Sequence, residues 1–131
     1  MNREIECKAW DKNNEEMVEV ISINLKPDQT YQMLAVQYPD GEVIEEYLDS
    51  FELLWYTGLT DKNGNEIYEG DIIEFFGNSA LVRFAWGGFV AADGEGELKH
   101  TTKGDLRGYH ANSEVIGNKF ENPELLETIQ Q

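Results

Sequence analysis

A mainly β protein, with antiparallel strands and one short helix at its C-terminal end, is the fold class this sequence predicts. Three features carry that expectation. β-Branched and aromatic residues come in short runs, Asp, Asn, Gly and Pro punctuate the runs, and hardly any segment holds a helical period for three turns. The chain has 131 residues, 40% of them apolar and 11% aromatic. That length supports a core without disulfides or a structural metal, and that composition is too apolar for a disordered chain.

In chain order, the expected strands are Ile5 to Trp10, Met17 to Leu25, Tyr31 to Tyr38, Val43 to Leu48, Asp71 to Phe76, Ala80 to Trp86 and Val115 to Phe120. Asp11-Lys12-Asn13-Asn14 reads as the turn between the first two, and Lys26-Pro27-Asp28 separates the second from the third. Pro39-Asp40-Gly41 offers a preset φ followed by a glycine, and Asn63-Gly64 is a dipeptide favoured in tight hairpins. The first half therefore reads as a meander over residues 1–55.

From Tyr56 onward, Gly58, Gly64 and Gly70 punctuate a winding segment that leads into Asp71-Ile72-Ile73-Glu74-Phe75-Phe76, and Gly87-Gly88 reads as another corner. Residues 56–131 thus look like a small closed or nearly closed barrel, because glycine relieves the bends that closure requires. Residues 93–113 are polar and glycine-punctuated, and read as a mobile loop with one strand near Leu98. Asn122-Pro123-Glu124 supplies a capping side chain, a proline at the first helical position and an acid in the first turn, which predicts a helix over 123–130.

Ten Lys and Arg stand against 26 Asp and Glu, a formal charge of −16. Residues 1–57 carry −9 (four basic, thirteen acidic) and residues 58–131 carry −7 (six basic, thirteen acidic), so the acidity is not confined to a tail. Such a field repels phosphate backbones and anionic membranes and favours basic partners. No basic patch offsets it, so neither nucleic-acid nor membrane binding is expected; solubility alone is the plainer reason for the charge. Cys7 has no second cysteine to pair with, no apolar run reaches membrane-spanning length, and Met1 to Glu6 lacks a signal-peptide pattern. A cytoplasmic protein is expected.

Chemistry-bearing motifs are scarce. Asp61-Lys62-Asn63-Gly64-Asn65-Glu66 has oxygens at alternate positions, but a calcium loop needs glycine sixth and glutamate twelfth, where this segment has glycine fourth and Ile72 twelfth. His100 and His110 lack the close Cys or His spacing of a zinc site. Cys7 falls within a strand, where a buried inert thiol is the default. Glu15-Glu16 and Glu45-Glu46 are adjacent, so on a strand each pair points to opposite faces. Phosphate-cradling glycine patterns are absent. No catalytic residue, cofactor or metal is expected.

The aromatic residues Trp55, Tyr56, Tyr68, Trp86 and Phe89 flank the glycine-rich turns and form the candidate partner-binding surface. Packing into the core is their competing role, since they are also the largest apolar side chains available.

Three segments taken together resemble the YopX family: Arg3-Glu4-Ile5-Glu6-Cys7-Lys8-Ala9-Trp10-Asp11, the long block from Tyr56-Thr57-Gly58-Leu59 through Asp61-Lys62-Asn63-Gly64 to Glu66-Ile67-Tyr68-Glu69-Gly70-Asp71, and Val115-Ile116-Gly117-Asn118 followed by Phe120-Glu121-Asn122-Pro123-Glu124-Leu125-Leu126. That family is carried by phages and prophages. The resemblance implies an SH3-like small barrel in the C-terminal part with the N-terminal strands packed on it, and it implies no activity, substrate or catalytic residue.

The expectation for function is a phage or prophage accessory protein that is a non-enzymatic protein-binding module. An acidic nucleic-acid mimic occupying a basic host or phage protein is the alternative. A hydrolase using carboxylates of residues 93–105 with His100 or His110 ranks last. Free strand edges also allow homo-oligomers.

Overall fold

The computed structural model describes residues 7–25, 32–96 and 104–129, with Leu25 described by its backbone alone. The fold is mainly β, with two antiparallel sheets and one short C-terminal helix, and the chain divides into two compact units, Met1–Trp55 and Tyr56–Gln131.

In the first unit, β1 (Cys7–Asp11), β2 (Glu16–Leu25), β3 (Gln32–Gln37), β4 (Val43–Tyr47) and the opening half of β5 (Phe51–Thr60) lie in the order β4-β3-β2-β1-β5, each antiparallel to its neighbour. Alternation selects the core: Cys7 and Ala9 of β1 meet Val18 and Val20 of β2, Leu34 and Val36 of β3, and Phe51. β1 to β4 pair in chain order as an antiparallel meander. Asp11 holds its first turn. The buried carboxylate accepts from the Asn13 and Asn14 amides at 2.9 and 3.1 Å and from Tyr38 Oη at 2.6 Å.

β5 was not expected. It continues past Trp55, and its second half pairs with β6 (Glu66–Tyr68) in the second unit. There, β7 (Asp71–Phe75), β8 (Asn78–Ala85), β9 (Gly88–Ala92), β10 (Gly104–Asp105) and β11 (Glu114–Asn118) take the order β10-β9-β8-β7-β11. The core of this unit gathers Ile67, Ile73, Phe75, Ala80, Val82, Ala91 and Leu106. β9 departs from the corner that Gly87-Gly88 predicts: the loop there is only two residues long and the strand resumes at once.

The expected barrel is not formed: among the described residues no sheet closes on itself, and β10 and β11 remain edges. Among the described residues β10 contributes two residues before the chain tightens into 3₁₀ turns at Leu106–Gly108 and His110–Asn112, a ladder too short for closure. Those turns also correct the expectation of a mobile loop over 104–113. Leu106 is fully buried and the Tyr109 ring packs on Phe75 with centroids 4.7 Å apart. The strand expected near Leu98 and His100 lie outside the described residues.

The C-terminal motif is a folded-back turn followed by α1 (Pro123–Ile129). Asn118 Oδ1 accepts from the Phe120 and Glu121 amides, and Asn122 Oδ1 turns back to accept from the Asn118 amide at 3.1 Å. Asn122 was expected to cap the helix with that side chain; its backbone carbonyl accepts the Leu125 amide instead. A Cβ on Gly117 would lie 2.5 Å from Asn122 Oδ1, so this close approach requires glycine.

Candidate partner-binding surface

The β8–β9 hairpin carries two exposed large apolar side chains, Phe84 and Trp86. Phe84 pairs with Phe89 and Ala85 with Gly88, which leaves Trp86-Gly87 as the two-residue loop. Their φ values, +53° and +81°, are those of a type I′ turn, whose first central position normally holds Asn, Asp or Gly. A tryptophan there carries the steric cost of the left-handed region, on the order of 1–2 kcal/mol, and its side chain is 72% exposed. The β7–β8 loop repeats the pattern with Phe76-Gly77, where Phe76 has φ +49° and is 80% exposed. Two bulky aromatics therefore occupy positions where both backbone and solvent oppose them.

Phe84 shares a strand face with the buried Ala80 and Val82 but is 57% exposed, so the core-facing stripe of β8 runs past the core into solvent. It meets Phe89 edge-on across the hairpin, centroids 5.2 Å apart at 74°. A cleft of about 270 Å³ opens beside them, lined by Thr57, Leu59, Phe89 and Leu106, with the Asp105–Arg107 pair also on its wall. Arg107 donates to Asp105 at 2.7 Å, and this hydrogen bonding holds the Asp105 carboxyl down at about 2. The ion pair stays charged on both sides at neutral pH.

Of the five aromatic residues singled out from sequence, Trp86 and Phe89 come together on this hairpin. Tyr56 and Tyr68 form their own tilted pair, 5.5 Å between centroids and half-buried, at the β5–β6 pairing. Trp55 belongs to the first unit, opposite Cys7 on β1, and is 44% exposed. Sequence reading missed Phe84, Phe76, Leu59, Leu106 and Arg107. For Phe84 a signal existed: a two-residue Trp-Gly loop puts it directly opposite Phe89.

Asp61, His110 and Cys7 are committed to structure. Asp61, buried, accepts from the Asn63, Asn65 and Val115 amides, each at 2.9 Å. Burial pushes its carboxyl up, but these hydrogen bonds outweigh burial and hold it below the ordinary range. His110 Nδ1 lies 2.8 Å from the Thr60 carbonyl, which assigns the ring proton to Nδ1. Burial pushes the Cys7 thiol up to about 11, which leaves it protonated and unreactive at neutral pH. A hollow of about 420 Å³ in the first unit is bordered by Lys8, Glu19 and Tyr38, but Tyr38 is already bound to Asp11; burial first, then that bond, pushes its phenol up to about 12. Among the described residues no three His, Cys, Asp or Glu gather as metal ligands, and no helix is long and apolar enough to cross a membrane.

A crystal structure of protein EF1440 from Enterococcus faecalis is similar to this chain, with 25% sequence identity and a TM-score of 0.58 over 92% of this chain and 96% of that one. No curated protein matches. The model of the family described as YopX protein, a description that names no activity, matches residues 7–127, bearing out the resemblance seen in the central and C-terminal motifs. With nearly the whole length matched, the chain belongs to the YopX family.

Proposed function

We propose that this chain is a non-enzymatic accessory protein of phage or prophage, acting in the cytoplasm by binding another protein through the β8–β9 hairpin. One observation carries the reading: Trp86 sits 72% exposed at a φ of +53°, a placement that neither packing nor backbone preference explains. Residues kept in sparsely populated backbone regions cluster at ligand contacts and switches. Trp86 and Phe84 supply the apolar anchor, the Phe89-lined cleft receives an apolar side chain of the partner, and the charge of −16 selects a basic protein surface.

The test is affinity capture of the tagged protein from a phage-bearing bacterial lysate, washed at low and at high salt, beside a Trp86→Asn/Phe84→Ser variant. A partner held at high salt by the native chain and lost by the variant is the expected result. Every captured protein surviving in the variant overturns the placement.

Acidic mimicry of a nucleic-acid backbone is the second reading, favoured by the charge alone. It predicts that basic nucleic-acid-binding proteins are captured and then released as salt rises, because screening weakens charge pairing far more than apolar burial.

A further inference from the structure

β4 (Val43–Tyr47) is the terminal strand of its sheet, with β3 as its one neighbour in the strand order among the described residues. The Tyr38 amide donates to Glu42 O at 2.8 Å, and the register sets Val36 opposite Ile44 and Leu34 opposite Glu46. Hydrogen-bonded pairs alternate along an antiparallel ladder. Ile44 and Glu46 therefore address their backbone groups to β3, while Val43 and Glu45 address theirs outward. The parity is visible one residue on, where the Tyr47 amide donates to Glu46 Oε1 at 3.2 Å.

The outward positions also share one exposed side-chain face. Val43 is 56% exposed and Tyr47 50%, with Glu45 between them. Glu45 Oε2 accepts from Asn24 Nδ2 at 2.7 Å, a neutral donor that orients the carboxylate and leaves its charge in place. Edge strands are commonly blunted by lysine, proline or a bulge; this one is guarded by an acid. Antiparallel pairing with a second copy centred on Glu45 would set Glu45 against Glu45 and bring together two chains of charge −16. The same edge is complementary to a strand with Lys or Arg facing Glu45 and apolar residues facing Val43 and Tyr47.

We infer that β4 is a strand-addition site for an extended, basic segment of a protein partner, patterned apolar-x-basic-x-apolar. Main-chain bonds to Val43 and Glu45 supply the ladder, and the Glu45 carboxylate supplies the choice of charge. This edge lies in the first unit and its test does not involve Trp86, so it and the hairpin reading fail separately.

The probe is the acetylated, amidated peptide Lys-Val-Thr-Lys-Thr-Val-Lys, titrated into the ¹⁵N-labelled full chain and followed by NMR. Shifts centred on residues 43–47 and slowed exchange of the Val43 and Glu45 amides are expected. Replacing the central Lys of the peptide by Glu, or N-methylating its ladder amides, should weaken binding about tenfold or more. Glu45→Pro removes an outward donor that β3 does not use, and should weaken binding similarly. Glu45→Lys, which leaves the backbone untouched, should reverse the preference toward the Glu-containing peptide. Shifts elsewhere, no binding, or a Glu45→Lys chain that keeps the original preference overturns the inference; so does a dimer by sedimentation whose Val43 and Glu45 amides are already protected without peptide.

Discussion

Trp86 and Asp61 are the two residues where local structure and stability part company most clearly. Trp86 opposes stability twice, through its left-handed backbone and its exposed ring. Trp86→Asn puts a residue at home in that region into the same turn and should raise stability by about 1 kcal/mol, read as a higher urea midpoint at unchanged slope. A fall in the midpoint would show that the indole packs locally and that its position is structural. Asp61 is the reverse case: Asp61→Ala strands the Asn63, Asn65 and Val115 amides and should cost roughly 3 kcal/mol, while Asp61→Asn, which keeps one acceptor, should cost less. Because the folded carboxyls of Asp61 and Asp11 lie below the ordinary range, the unfolded chain takes up these protons first. Their contribution is complete above the unfolded value, about 3.9, and is lost as pH falls through the folded one. Urea midpoints from pH 7 to pH 2 should drop below about pH 4, with a shallower drop in Asp61→Asn. The turn at Asn63-Gly64 was legible in the sequence, but its anchor was not, because the Val115 amide bound to Asp61 is remote in sequence and no local pattern encodes such a bond.

At the level of elements, strands made of one β-branched or aromatic run were readable, and strands that open on a glycine or change partner midway were not. β2, β3, β4, β7, β8 and β11 appear within a few residues of their expected ends, since each is a β-branched or aromatic run bounded by turn residues. β5 hid because Phe51–Trp55 pairs with β1 whereas Tyr56 and Thr60 pair with β6, and a register shift between those two pairs breaks the alternation. Its burial accordingly has no period of two. Gly58 sits inside that shift with φ +84° and nothing within 4 Å of where its Cβ would be. Gly58→Ala should therefore cost about 1–2 kcal/mol through the backbone alone, with no steric contribution. A denaturant melt checks this; a change near zero would mean that β5 passes from one partner to the other without needing the left-handed residue. β9 was unreadable for another reason. Its run Phe89-Val90-Ala91-Ala92 is short and stands behind two glycines, and a glycine pair looks like a corner until the tight Trp86-Gly87 loop is known. The candidate surface was legible to the same extent: Trp86 and Phe89 stood out by type, and Phe84 needed the register that only the hairpin fixes.

For the molecule as a whole, charge sets folding and recognition against each other. A formal charge of −16 makes the compact state repel itself, and that repulsion is screened within about 10 Å at 0.1 M salt. Among the described residues, the ion pairs Arg107–Asp105, at 2.7 Å, and Lys119–Glu95, at 3.6 Å, involve exposed or partly exposed groups, of a kind that adds little to stability. Raising sodium chloride from about 0.01 to 0.3 M should therefore raise the thermal midpoint, because relief of repulsion outweighs the loss of weak pairs. The same salt should weaken binding of a basic segment at β4 steeply and binding at the Trp86–Phe84 tip only slightly, since the first depends on Glu45 and the second on apolar burial. Parallel measurement of the midpoint and of both affinities across that range decides the matter. A midpoint that falls with salt would make the charged side chains a net support of the fold, and their abundance would then need no partner to explain it.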